Sequence, residues 1–228
     1  MKTIVLSLGG SLIVPEKMNP KFLKNFVKTL RKHYSEFKFV VVCGGGVIAR
    51  KYISALKNEG KSKKELSEAG IRATRMNAEF IMQFFKKSEI NNTLPLNMQE
   101  IKNNLKKNNV VICGALRWSP NSTSDTTAVK LAHLLKTDFI NITNVKGLYT
   151  KNPFEDKSAK FIPKANWQTL EAMGNISKFQ PGQNFVLDQQ ATTLIRKYKI
   201  KSYIIGPKLK NLSNILKNKK FTGTIIEQ

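Results

Sequence analysis

Apolar positions are spaced in two ways along this chain. Unbroken runs rich in Val, Ile and Phe recur at 3–8 (TIVLSL), 37–43 (FKFVVVC), 109–113 (NVVIC), 138–143 (DFINIT) and 201–206 (KSYIIG). None of them alternates apolar with polar, so each predicts a strand buried on both faces. Between them the spacing opens to helical intervals. Phe22, Phe26, Leu30 and Tyr34 mark 20–35, Leu66, Ile71, Met76, Phe80 and Phe84 mark one face of 63–85, and Ala128, Leu131 and Leu135 mark 125–136. Near the end, LSNILK (212–217) predicts a short helix and FTGTIIEQ a last strand at or near a sheet edge. Buried strands separated by helices predict the α/β class: a three-layer αβα sandwich around a mainly parallel central sheet, formed by a single domain over 1–228. From about 150 to 187 the pattern loosens into Pro, Gly and Asn, which predicts loops over the mouth of a site.

At 228 residues the chain is long enough to bury a core without disulfides or a structural metal. No apolar run approaches the roughly 20 residues of a membrane span. The opening MKTIVLSLGGSLIV breaks at a Gly pair instead of leading to a cleavage site, so the cytoplasm is the expected compartment. Cys43 and Cys113 each end a strand-like run beside glycine, apart from any Cys-x-x-Cys or Cys/His cluster, and are expected as buried, reduced thiols. The net charge of +24 is spread through RKH, KNEGKSKK, KNNLKKNN, RKYKIK and KNKK. That dispersal favours a solvated basic surface that attracts anions over a dedicated nucleic-acid patch.

Candidate chemistry gathers after the strands. SLGGS (7–11), CGGGVIAR (43–50), CGALRWSPNSTSD (113–125) and ITNVKGLYTKNP (142–153) each follow a strand at its carboxyl end, where open parallel sheets bind ligands. Glycine lets a backbone approach a phosphate and aim its N–H groups at it. Several such turns at one sheet edge therefore suit a polyphosphate. Neither G-x-x-x-x-G-K-[ST] nor G-x-G-x-x-G occurs, which argues against a P-loop or a dinucleotide fold.

The blocks SLGGSLIVPE, VVCGGGVIARKYI, GIRATRMNAEF, STSDTTAVKLAHLLKTDFINITNVKGLYTKNP and GTIIEQ resemble, in family order, the archaeal branch of the UMP kinases in the amino-acid kinase superfamily. The resemblance implies a nucleoside monophosphate kinase that uses Mg-ATP to convert UMP to UDP in pyrimidine nucleotide synthesis, with Mg²⁺ as cofactor and a homo-oligomer, a hexamer, as its assembly. It places the acceptor and phosphate site mainly in residues 1–135 and the ATP site mainly in 136–228. Asp188, in VLDQQATTLI, is implied as the organiser of the catalytic site, with Asp125 beside it. For ATP it implies Gly9, Gly10 and Ser11 under the phosphates, Gly45 and Arg50, and Thr143, Asn144, Tyr149 and Asn152 along the adenosine. For UMP it implies Gly44, Ser67 with Glu68, and the loop Arg117, Trp118, Ser119, Pro120, Asn121, Ser122, Thr123 and Ser124. Gly44–Gly46 would then pass the backbone between the two phosphate groups. No protein metal ligands, membrane or specific nucleic-acid partner are implied.

Residue chemistry alone leaves alternatives. Asp125 and Asp188 also suit helix caps, Arg50 a surface cation and Tyr149 a core aromatic. Relatives carry Asp where this chain has Ser67, Asp where it has Lys146, and smaller residues where it has Arg117 and Trp118; many superfamily members carry Lys where it has Ser7. Another acceptor, such as isopentenyl phosphate or a small carboxylate, or a catalytically weak nucleotide- or oxyanion-binding homologue, also fits these departures. The stripes Phe22, Phe26, Leu30 and Met76, Phe80, Phe84 suit either dimer faces or core.

Overall fold

The structure, a computed structural model, describes residues 1–120, 122–176 and 186–228. In chain order, β1 (Lys2–Leu8) leads through α1 (Gly10–Ile13) and α2 (Pro20–Arg31) to β2 (Phe37–Cys43). Then follow α3 (Gly46–Asn58), α4 (Lys63–Met82), α5 (Met98–Lys107), β3 (Val110–Cys113), α6 (Ser124–Leu134) and β4 (Phe139–Ile142). The small strands β5 (Leu148–Tyr149), β6 (Phe161–Ile162) and β7 (Lys164–Ala165) precede α7 (Trp167–Ile176) and α8 (Gln189–Tyr198). β8 (Ser202–Ile205), α9 (Lys210–Leu216) and β9 (Thr224–Ile226) complete the fold.

Among the described residues the main sheet has seven strands in the order β3-β2-β1-β4-β8-β9-β7. β3, β2, β1, β4 and β8 are mutually parallel, and β9 runs antiparallel to β8. Strand alternation divides the core between two faces. Ile4, Leu6 and Leu8 of β1 pack with Phe26 and Leu30 of α2, Ile81 of α4 and Leu212 of α9. Val5 packs on the other face with Leu105 of α5, Leu131 of α6, Leu170 of α7 and Ile195 of α8. Helices thus cover both faces, which is why the strands read as continuous apolar runs.

The chain runs β1–β2–β3 outward on one side of β1 and β4–β8 outward on the other. Strand order therefore reverses between β1 and β4, and a crevice opens at their carboxyl ends. Ser7 shares the α6 face with Val5, and Asn141 of β4 shares it with Phe139.

Some sequence expectations are corrected. The apolar face expected for 63–85 is displaced: α4 buries Leu66, Ala73, Thr74, Asn77, Ala78 and Ile81, while Met76 is exposed. Leu66 and Ala73 pack with Ala49 and Ile53 of α3 and Ala78 and Ile81 join the sheet core, while between them Thr74 and Asn77 face the backbone of the Gly44–Gly45 and Ala115 loops. α2 ends at Arg31 instead of near 35, and Phe26 and Leu30 are core residues with no accessible surface, so they form no dimer face. The 150–187 stretch includes β6, β7 and α7, although residues 177–185 lie outside the described residues. Cys43 and Cys113 are free and fully buried, and burial pushes the Cys113 thiol up to about 12 and raises that of Cys43 as well. No helix among the described residues is long and apolar enough to cross a membrane.

Candidate active site

Two glycine turns meet at the head of the crevice. Gly9 donates its N–H to Ile142 O at 2.8 Å, and Gly44 donates to Leu8 O at 2.9 Å, so each turn is stitched to the neighbouring strand end. The turns then touch backbone to backbone. A Cβ on Gly10 would overlap the Gly46 amide and lie 2.7 Å from the Gly44 carbonyl carbon. Gly46 also has φ +62°, a left-handed conformation costly to any side chain. Among the described residues, the amides of Gly10, Ser11, Gly45 and Gly46 have no hydrogen-bond acceptor. They are the leading N–H groups of α1 and α3, left free because no preceding turn supplies a carbonyl.

α4 fixes both turns of the acceptor side. Buried Asn77 donates its Nδ2 to Gly44 O at 2.7 Å and Gly45 O at 3.2 Å. Thr74 Oγ1 accepts from Ala115 N at 2.9 Å, and the Arg75 guanidinium donates to Ala115 O at 3.3 Å and Leu116 O at 2.6 Å.

Asp188 is the hub of the opposite wall. It caps α8 by accepting from Ala191 N at 2.8 Å, and it reaches across to α6. There it accepts from Thr123 N (3.2 Å), Thr123 Oγ1 (2.6 Å), Thr126 N (3.1 Å) and Thr126 Oγ1 (2.7 Å). Thr123 Oγ1 in turn accepts from Asp125 N at 3.1 Å, which makes Thr123 the cap of α6. Asp125 accepts from Ser7 Oγ at 2.6 Å. Burial, reinforced by the Asp188 carboxyl nearby and opposed by the Ser7 hydroxyl, pushes the Asp125 carboxyl up to about 7. Asn141 closes the floor by donating to Val186 O at 2.6 Å.

The β4 side is built of a hairpin and a pinned turn. Tyr149 of β5 packs against Phe161 of β6 with ring centroids 5.6 Å apart, and the Lys146 ammonium sits 4.1 Å from the Phe161 ring centre. Asn152 Oδ1 accepts from Phe154 N at 3.1 Å, and Lys151 pairs with Asp156 at 2.8 Å. All these elements surround one cleft of about 720 Å³.

Comparison with known proteins decides the family. The amino acid kinase family model matches residues 2–206. The chain belongs to the amino acid kinase family. Within it, it groups with the archaeal-type uridylate kinases. It is 34% identical to the uridylate kinase of Thermoplasma volcanium, covering 100% of this chain and 98% of the relative. It is 34% identical to that of Archaeoglobus fulgidus, whose crystal structure superposes with a TM-score of 0.83 over 99% of this chain and 100% of that one. The UMP kinase structure from Bacillus anthracis, 21% identical, shares the fold with a TM-score of 0.78 over 99% of this chain and 96% of that one.

In this amino acid kinase, the residues implied by resemblance converge on the cleft from four post-strand loops, from α4 and from the start of α8. Gly9, Gly10, Ser11, Gly44, Gly45 and Arg50 line its head; Thr143, Asn144, Tyr149 and Asn152 one side; and Ser67, Arg117, Trp118, Ser119, Ser122, Thr123 and Ser124 the other, with Asp125 and Asp188 between. Glu68 and Pro120 are not among the lining residues. Asn121 lies outside the described residues. Sequence reasoning missed Thr74, Arg75, Asn77 and Asn141. The signal for Thr74 and Asn77 was two polar side chains three residues apart on one buried helix face, each needing a partner.

Proposed function

We propose that this chain is a uridylate kinase that transfers the γ-phosphoryl group of Mg-ATP to UMP. The observation that carries the reading is the contact between the Gly9–Gly10 and Gly44–Gly46 turns, which turns their unpartnered amides toward one cleft at the strand-order reversal. ATP occupies the β4 side, along Thr143, Asn144, Tyr149 and Asn152. UMP occupies the α4 and β3 side, along Ser67 and the 117–124 loop. Their phosphates meet over the glycine turns, with Arg50 near the phosphates and Arg117 on the acceptor rim.

Phosphoryl transfer passes through a loose transition state whose charge lies on the equatorial oxygens, so positioning and charge stabilisation dominate. Fixed amides at the glycine turns serve that state without reorganising. The acceptor is a phosphate monoester, whose second proton is mostly gone at pH 7 because that pKa is about 6. It needs no strong base. Asp188, already engaged by five donors, therefore acts by holding the α6 and α8 N-termini in place. Among the described residues no three His, Cys, Asp or Glu side chains gather as a metal cage. Mg²⁺ enters in this proposal as part of the Mg-ATP substrate. Cytoplasmic location and the hexameric assembly belong to the same proposal, and light scattering of the purified protein tests the latter.

The test is ADP release with Mg-ATP against UMP, CMP, dTMP, isopentenyl phosphate, glutamate and carbamate. Turnover selective for UMP supports the reading. Selective turnover of isopentenyl phosphate or a carboxylate replaces the acceptor, and silence across the panel with ATP still bound points to a weak nucleotide-binding homologue.

A further inference from the structure

The acceptor side of the cleft is a slot between α4, which supplies Ser67, Gly70 and Ile71, and the loop residues Ala115, Arg117, Trp118, Ser119, Ser122 and Thr123. Its rim carries an aromatic side chain, Trp118, to which the chemistry described so far gives no specific role. Trp118 is 39% exposed, yet its backbone is not loose. On one side the Arg75 guanidinium holds Leu116 O at 2.6 Å. On the other, Ser119 Oγ and Ser122 Oγ are 2.6 Å apart, Ser122 Oγ donates to Ser119 O at 2.8 Å, and Ser119 Oγ donates to Gln190 Oε1 at 3.4 Å. Only Arg117 and Trp118 lie between these two anchored points. Lys64, in the first turn of α4, places its ammonium 5.8 Å from the Trp118 ring centre, so the loop and α4 meet across the mouth of the slot.

An indole on this anchored backbone, with Lys64 and Arg117 beside it, has the chemistry to recognise a flat aromatic base that carries an anion. With the flanking backbone anchored, only the two side-chain torsions of Trp118 remain to be ordered when it stacks. We propose that Trp118 is the stacking platform for the acceptor's base and that Lys64 closes the slot by lying over the indole. This rests on the uridylate kinase reading and adds to it the residue that carries base affinity. Stacking on an aromatic side chain is worth about 1–3 kcal/mol per base. Trp118→Ala should therefore weaken UMP binding about 10- to 100-fold.

The experiment is calorimetric titration of wild type and Trp118→Ala with UMP, with ribose 5-phosphate as the acceptor lacking a base, and with a non-hydrolysable ATP analogue. In parallel, indole emission is followed on UMP addition, with Trp118→Phe giving the Trp167 background. Expected are a 10- to 100-fold loss for UMP, no change for ribose 5-phosphate or the ATP analogue, recovery of most of the loss in Trp118→Phe, and a UMP-dependent emission change absent from that variant. Trp118→Ala should melt with wild type, since the side chain is surface-exposed. Equal effects on UMP and ribose 5-phosphate, or no effect on either, overturn the stacking role while leaving the kinase reading in place. Wild-type protein that binds the ATP analogue but not UMP overturns the uridylate kinase reading, and the platform with it.

Discussion

Asp188→Asn keeps the shape of the side chain and changes only what one of its two terminal atoms offers. In the native structure both oxygens accept, one from Thr126 Oγ1 and Ala191 N, the other from Thr123 N, Thr123 Oγ1 and Thr126 N. The better amide orientation keeps oxygen toward the three donors and turns the NH₂ toward Thr126 Oγ1 and Ala191 N. The threonine hydroxyl can rotate to accept. The Ala191 N–H cannot, and a donor then faces a donor across 2.8 Å in a site that is 3% exposed. Losing the α8 cap costs about 1 kcal/mol, and a buried donor left without an acceptor costs about 1–3 kcal/mol. Both figures describe the same Ala191 N–H, so the expected loss is about 1–3 kcal/mol, a sizeable share of the 5–15 kcal/mol typical of a domain. Relief comes by separating α8 from α6, which moves Thr123–Asp125 at the cleft. A shift of about 1 Å there is worth about 100-fold in rate. Guanidinium denaturation at unchanged m-value reads the first effect, and ADP release with UMP reads the second in the folded variant. Stability within about 0.5 kcal/mol of wild type together with unchanged kcat would refute the hub role of Asp188.

Asn77→Ala leaves Gly44 O and Gly45 O without the side-chain donor that reaches them, and is expected to lower stability by about 1–3 kcal/mol and kcat with it; a variant with wild-type melting and turnover counts against this anchoring. Gly10→Ala forces the two glycine turns apart, so turnover should fall at least about 100-fold while the ATP analogue still binds more weakly, and retained turnover would show that turn contact is not required. Asp125→Asn tests the carboxyl pushed up to about 7. Because its folded value lies above the ordinary 3.8, the folded protein keeps a proton that the unfolded chain releases, and the stability from this proton, full below about pH 4, is lost as pH rises to about 7. The variant lacks that loss, so its stability relative to wild type should rise from pH 5 to pH 8 by up to about 3 kcal/mol; a difference independent of pH, measured by denaturation in both buffers, sinks the argument.

The strands were legible because burial on both faces leaves few residues to choose from. The FKFVVVC run is β2 with the same limits, Phe37–Cys43. α5 was not legible. It buries only Ile101 and Leu105 among Gln, Glu, Lys and Asn, so its apolar signal is two residues one turn apart. α4 misled for a related reason: its large apolar residues Ile71 and Met76 drew the helical face outward, while between Leu66 and Ile81 its inner face is built of Ala73, Thr74, Asn77 and Ala78. A hydrophobicity pattern registers what packs on apolar core, as Leu66, Ala78 and Ile81 do, and passes over Thr74 and Asn77, which meet polar backbone.

The glycines show the same limit from the side of function. Read alone, GGG suits a backbone passing between phosphates, and the cleft does collect free amides at that place. Yet Gly44 and Gly46 are required first by Gly10, whose turn leaves no room for a side chain between the two loops. These two requirements are linked. Amides from β1 and from β2 can address one phosphoryl group only if the turns that carry them touch, and they touch only where neither has a Cβ. The contact therefore lies upstream of the chemistry, and Asn77, which the glycine pattern does not reveal, holds the second turn against the first.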